Sequence, residues 1–310
     1  MNPDTGGPAT GLAAALASGP VILDGGLATL LESHGADLTS DLWSARLLRD
    51  DPDAIAAAHA EYFTAGAQVA ITASYQASFE GLATLGLDRD DAAALMRSSV
   101  ALARRAAETA PGDGPRWVAA SVGPYGAVLA DGSEYTGNYG RTVDELRAWH
   151  RPRLVELIDA RPDVLALETI PSAAEAQALL AELDGTGQAA WLSLTCSGTR
   201  TRAGEDAAEV FALAAGVDEV IAVGVNCTDS DDVDELVGIA AAASGKPVVA
   251  YPNSGERWDA QARSWAGAPT FGVDHVAGWV AAGARLVGGC CRVGPDSIRR
   301  IATAMGPASR

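Results

Sequence analysis

VLALETIPSAAEAQALLAELDGTGQAAWLSLTC, residues 164–196, contains one complete structural unit. Residues 164–169 are apolar until they end on Glu168-Thr169, the pattern of a strand covered on both faces. Residues 172–183 then place Ala and Leu at helical spacing, and 190–196 form a second apolar run ending on Cys196. Strand, helix and strand in this order are the unit of a parallel sheet.

The alternation continues in both directions. Strands read at 21–24, 68–75 and 117–122 before this unit, and at 220–227, 247–251 and 284–290 after it, which makes eight. Helical patterns lie near 52–66, 91–109, 142–160, 205–216, 231–243, 272–283 and 295–304. Asp51-Pro52 sets Pro in a first helical turn, and Thr142 precedes Glu145 by three as in a capping box. The pattern predicts an α/β fold, a single (β/α)8 TIM barrel over 20–310, with 1–19 as a flexible leader. A doubly wound sheet is the alternative, but no G-x-G-x-x-G follows the first strand. The long stretch 123–141, rich in Gly and Tyr, reads as an active-site loop.

The chain has 310 residues, 48% of them apolar, enough for a large core. Acidic residues number 40 against 22 basic, for a net charge of −18. Such a surface repels nucleic acid and anionic membranes, so neither is an expected partner. No apolar run approaches the roughly 18 residues needed to span a bilayer. The run at 11–17 lacks the basic residues that precede a signal sequence. A cytoplasmic protein is expected. Four cysteines are too few for a disulfide scaffold, and in a reducing compartment they bind metal, catalyse or lie inert. The sole lysine, Lys246, begins a strand, the wrong end of a barrel for Schiff-base chemistry.

Reactive groups of a barrel gather where its strands end. Those ends supply Asp24, Tyr75, Glu168, Cys196, Cys227, Tyr251 and the pair Cys290-Cys291. Cys227 and Cys290-Cys291 end strands six and eight, near enough around a barrel to converge. Three thiolates suit Zn²⁺ and leave a fourth position open. Adjacent cysteines can face one metal only where the chain leaves strand geometry, which Gly288-Gly289 allow. A vicinal disulfide or plain buried thiols fit the same spacing. His34, His59, His150 and His275 fall away from the strand ends and read as structural.

LDGGLATLLE (23–32), ITASYQAS (71–78), SVGPYGAVLADGSEYTGNYG (121–140), LETIP (167–171), GVNC (224–227), YPNSGE (251–256) and GGCCR (288–292) together resemble the homocysteine S-methyltransferases. The loop 121–140 and YPNSGE are most similar to the branch that uses S-methylmethionine. The resemblance implies that Cys227, Cys290 and Cys291 bind zinc and that homocysteine sulfur takes the open position. It implies activation of that thiol toward a methyl sulfonium, S-methylmethionine or S-adenosylmethionine, with methionine as product. It implies that Asp24 and Glu168 hold the substrate α-ammonium; on the residues alone, Asp24 also fits a turn and Glu168 a barrel salt bridge. Asn226 either binds substrate or orders its loop. Backbone amides at Gly26 and Leu27, where a helix starts, are candidates for the substrate carboxylate. Cys196 matches no ligand of the family. Tyr125, Tyr135, Tyr139, Tyr251 and Trp258 are the aromatic candidates for a cationic donor. Betaine-dependent or selenocysteine methylation and a non-enzymatic zinc or thiol sensor are the competing functions. A monomer and a small homo-oligomer are both compatible with the sequence.

Overall fold

Two-sided burial of eight apolar strands produces one parallel sheet. The strands are β1 Val21–Ile22, β2 Val69–Ile71, β3 Trp117–Val122, β4 Val164–Ile170, β5 Ala190–Leu194, β6 Val220–Asn226, β7 Val248–Tyr251 and β8 Ala284–Val287. The computed structural model describes residues 11–38, 42–259 and 264–306, without the side chains of 43, 257–259 and 264–266. The sheet runs β1-β8-β7-β6-β5-β4-β3-β2. A parallel bridge between Leu23 and Val69 joins its two ends. The Asp24 N–H donates to Val69 O at 3.0 Å and the Gln68 N–H to Ile22 O at 2.7 Å, which completes the (β/α)8 barrel.

Side chains alternate across the barrel wall. Val164, Ala166, Trp191, Ala222, Val249 and Leu286 fill the interior. Leu165, Leu167, Leu192, Val223, Val225 and Ala250 pack outward among the helices. Both faces are therefore dry, and the strands read as unbroken apolar runs. Gly224 lets β6 approach β7: a Cβ there would lie 1.9 Å from Val249 O.

The long helices Pro52–Ala65, Arg89–Thr109, Val143–Asp159, Ala173–Leu183, Ser230–Ser244, Val273–Ala282 and Pro295–Met305 fall close to their expected spans. Thr142 and Glu145 form the reciprocal capping box, at 3.2 and 2.8 Å. Asp51 caps the helix that Pro52 begins. The pattern at 205–216 yields only Ala207–Ala212.

Two expectations differ from the structure. Residues 1–10 of the expected flexible leader lie outside the described residues, but within 11–19 a helix runs from Leu12 to Ser18. Its Leu12 and Leu16 pack into the barrel-interior cluster. Burial of two leucines, about 2 kcal/mol each, gives this segment a reason to be ordered. The strands expected at 68–75 and 284–290 stop at Ile71 and Val287, where the chain turns to build the loops of the site.

Candidate active site at the strand ends

A cavity of about 290 Å³ opens at the C-terminal ends of the strands. Glu168, Asn226, Cys227, Tyr251, Cys290 and Cys291 line it, together with Gly26, Leu27, Ser121, Tyr75, Glu134 and Tyr135. The sequence-derived cluster thus converges, from strands distant in the chain.

The three sulfurs lie within 4.8 Å of one another. Cys291 Sγ is 3.9 Å from Cys227 Sγ and 4.0 Å from Cys290 Sγ. A tetrahedral zinc site with Zn–S bonds of about 2.3 Å spaces its sulfurs about 3.8 Å apart. Two of the three edges therefore match. Cys227 and Cys290 stand closer, at 2.8 Å, and would need to open by about 1 Å to match that edge. Three soft thiol donors in one place fit zinc. The sulfurs of Cys290 and Cys291 stand 4.0 Å apart here, unbonded, with both facing Cys227. Contact with Cys227, and burial after it, hold the Cys290 thiol well above its ordinary pKa. Three thiolates held together need a cation between them.

Backbone detail aims these groups. Cys227 adopts φ 47° and Thr169 φ 60°, left-handed values unusual for any side chain and costly for β-branched threonine. Asn226 stabilises the turn at Thr169. Its Oδ1 accepts from the Thr169 N–H at 2.7 Å and from Ser193 Oγ at 2.8 Å, and its Nδ2 donates to Thr169 Oγ1 at 2.7 Å. These bonds order the loop, and Asn226 also lines the cavity. The register of β4 shifts between Leu167 and Ile170, where Glu168 and Thr169 lie. Gly288 and Gly289 serve close packing rather than a left-handed turn. A Cβ on Gly288 would lie 2.6 Å from Leu23 Cβ, and one on Gly289 2.1 Å from Val293 Cγ1.

The YPNSGE segment clamps the cysteine loop. Pro252 O accepts from the Cys290 N–H at 2.7 Å, Asn253 Oδ1 from the Cys291 N–H at 3.2 Å, and the Ser254 N–H donates to Cys291 O at 3.0 Å. Glu256 pairs with Arg292 at 3.2 Å.

Glu168 accepts from Ser121 Oγ on one oxygen and from Tyr251 OH, at 3.1 Å, on the other. Tyr251 OH accepts in turn from Trp191 Nε1 at 3.0 Å. Burial pushes the carboxyl up to about 7, against the two hydroxyl donors that favour its anion. Asp24 lies behind the cavity wall rather than on it. Its Oδ2 accepts from the Ile71 N–H at 2.8 Å, while its Oδ1 is buried without a partner. Burial raises the Asp24 pKa well above the carboxylate range; the Ile71 N–H lowers it, and the nearby Glu168 charge raises it further.

Four sequence-derived candidates, Gly26, Tyr125, Tyr139 and Cys196, take other roles. The Gly26 N–H donates to Val293 O at 2.9 Å, so it is not free for a carboxylate, while Leu27 opens the helix Leu27–Ser33. Tyr125 stacks edge-on against Tyr139 and Trp149, at 5.5 and 5.1 Å, and neither Tyr125 nor Tyr139 lines the cavity. The Trp258 side chain lies outside the described residues. Cys196 sits apart from the thiol cluster, buried in a hairpin, with its thiol pushed up to about 12 by burial. None of the four histidines lines the cavity, and His150 pairs with buried Glu175 at 3.0 Å. Sequence reasoning missed Ser121 and Glu134. Both lie inside the quoted 121–140 motif, but only the fold shows which of its residues turn inward.

A (β/α)8 barrel with three thiols and a buried carboxylate in one mouth defines a barrel enzyme with a thiol-built site. The family model for homocysteine S-methyltransferase matches residues 21–305. Homocysteine S-methyltransferase 4 of Zea mays is 43% identical, over 93% of this chain and 90% of that one. Selenocysteine Se-methyltransferase of Brassica oleracea var. italica is 42% identical, over 91% and 88%. The metallated form of the Escherichia coli homocysteine methyltransferase MmuM superposes with a TM-score of 0.83 at 40% identity, over 92% of this chain and 96% of that one. The chain belongs to the homocysteine S-methyltransferase family and is an enzyme of that class.

Proposed function

We propose that the protein transfers a methyl group from a sulfonium donor to the sulfur of homocysteine, giving methionine, with Zn²⁺ held by Cys227, Cys290 and Cys291. The observation that supports this best is the convergence of three thiols and Glu168 on one cavity. Zinc bound there would keep the acceptor thiol, of ordinary pKa about 8.5, ionised and nucleophilic at neutral pH. The chain does the remaining work. Glu168, oriented by Ser121 and Tyr251 and backed by Asp24, receives the α-ammonium of homocysteine. The amide of Leu27 meets its carboxylate. Burial of Cys227 and partial burial of Cys290 and Cys291 limit the water that reaches the transferring methyl. No base is required in the transfer itself, because a thiolate and a sulfonium become two neutral thioethers. Four cysteines, three of them gathered in one site, fit the cytosol as the place of action.

S-methylmethionine is the proposed donor, ahead of S-adenosylmethionine. The motifs 121–140 and YPNSGE resemble that branch, and S-methylmethionine has the size and polar groups of the acceptor. Betaine is a poorer donor, since an amine leaves less readily than a thioether. Methionine formation from homocysteine, measured with all three donors side by side, tests this. The expected order is S-methylmethionine first, S-adenosylmethionine second and no turnover of betaine. Rapid betaine turnover, or a much higher kcat/KM for S-adenosylmethionine, overturns the donor assignment. No transfer from either sulfonium overturns the function. The Brassica relative favours a selenol as a second acceptor, so selenocysteine belongs in the same assay.

A further inference from the structure

The loop between β3 and the helix Val143–Asp159 folds back over the thiol cluster. Gly132, at φ 81°, opens a short turn, Ser133–Tyr135, whose first N–H is held by Asp131 Oδ1 at 3.0 Å. The loop packs tightly on itself: a Cβ on Gly126 would lie 2.5 Å from the Glu134 N. This packing turns Glu134 and Tyr135 into the cavity that holds Cys227, Cys290, Cys291 and Glu168.

Glu134 Oε2 is buried there and has no hydrogen-bond partner. Leaving a carboxylate oxygen dry and unpaired is costly, and a cation placed against it removes the cost. Tyr75 and Tyr135 line the same cavity, so the carboxylate shares one mouth with two aromatic rings and the three thiols. An anion beside aromatic rings suits a cation that has no N–H to donate. On the proposed function, on which this inference rests, the acceptor's ammonium already has Glu168, backed by Asp24, on the strand side. The donor brings two further cations, its own α-ammonium and its sulfonium, and of these only the sulfonium has no N–H to donate.

We infer that Glu134 is the residue that recognises the sulfonium charge of the methyl donor. The role carries a kinetic signature. The sulfonium loses its charge as the methyl leaves, so Glu134 holds the donor more strongly than the transition state or the neutral thioether product. Removing its charge weakens donor binding without slowing the chemical step, and the thioether product leaves a site that no longer attracts it.

The test compares zinc-loaded wild type with Glu134→Gln, which keeps the shape and removes the charge, and with Glu134→Asp. Calorimetric titration with S-methylmethionine, in the absence of homocysteine, reads donor binding whether or not transfer occurs. Glu134→Gln is expected to weaken it about tenfold or more, the range for a lost bond to a charged group. Its affinity for homocysteine, and for methionine as a neutral thioether probe of the donor site, should stay as in wild type, with kcat at saturating donor undiminished. Glu134→Asp should recover part of the loss. Unchanged sulfonium affinity in Glu134→Gln, or no binding of S-methylmethionine to wild type, overturns the inference. So does an equal loss of affinity for the neutral thioether. Wild type that binds the sulfonium but transfers no methyl would refute the proposed function and leave the recognition role standing.

Discussion

Glu168 places a carboxylate at the end of a strand whose other side chains are nearly all apolar, and burial carries its pKa up to about 7. An unfolded glutamate titrates near 4.3. A folded pKa above the unfolded one stabilises the protein fully below pH 4.3, and this contribution is lost as the pH rises through about 7. At pH 8 the ionised group then costs on the order of 3 kcal/mol. Glu168→Gln should therefore raise the Tm at pH 8 and change it little near pH 4, as read by calorimetry at both values. The same variant should weaken homocysteine binding at least about tenfold and leave zinc in place. An unchanged homocysteine Kd would refute the ammonium role, and loss of zinc or of folding would make Glu168 a brace of the barrel. Glu168 and the three cysteines were legible because each is a polar residue that ends an apolar run. Ser121, Glu134 and the left-handed Thr169 were not, because their roles depend on a neighbour 47 or more positions away, as in the pairs Ser121–Glu168 and Thr169–Asn226, or on how a loop folds over the site.

The segment Tyr251–Glu256 shows what a motif conceals at the scale of an element. Its sequence resemblance associates it with the donor, yet Pro252, Asn253 and Ser254 all bond to the loop that carries Cys290 and Cys291. Asn253 accepts the Cys291 N–H, a partner one step outside the thiols. Such outer partners typically set metal affinity by about 10–100-fold. Asn253→Ala should lower zinc affinity within that range, measured by competition with a chelating dye, while the Tm of the metal-free protein moves little. Unaltered zinc affinity would mean that Pro252 and Ser254 hold the loop without it. The long helices were legible from periodicity and caps, as at Thr142–Glu145. Trp43–Asp50, Phe79–Thr84 and Tyr125–Leu129 were not, since eight residues or fewer leave little period to read.

At the scale of the whole molecule, barrel and site share one cause. Eight strands buried on both faces must close on themselves, and closure brings Asp24, Glu168, Cys227 and Cys290-Cys291 to one rim across more than 260 residues of chain. That convergence could be anticipated from strand count and strand ends. The Leu12–Ser18 helix could not, because its order comes from Leu12 and Leu16 meeting an interior that exists only after closure. Among the described residues no helix is long and apolar enough to cross a membrane, and the net charge of −18 suits small cationic ligands better than polyanions. The central claim is that three cysteines support methyl transfer to homocysteine through zinc. Its most direct test follows zinc content and methionine formation together in protein purified without chelator, then chelated, then resupplied with zinc. The expected result is about one zinc per chain, activity that falls with the metal and activity that returns with it. Full methionine formation by metal-free protein, or by protein with Cys290 and Cys291 joined in a disulfide, would contradict the account.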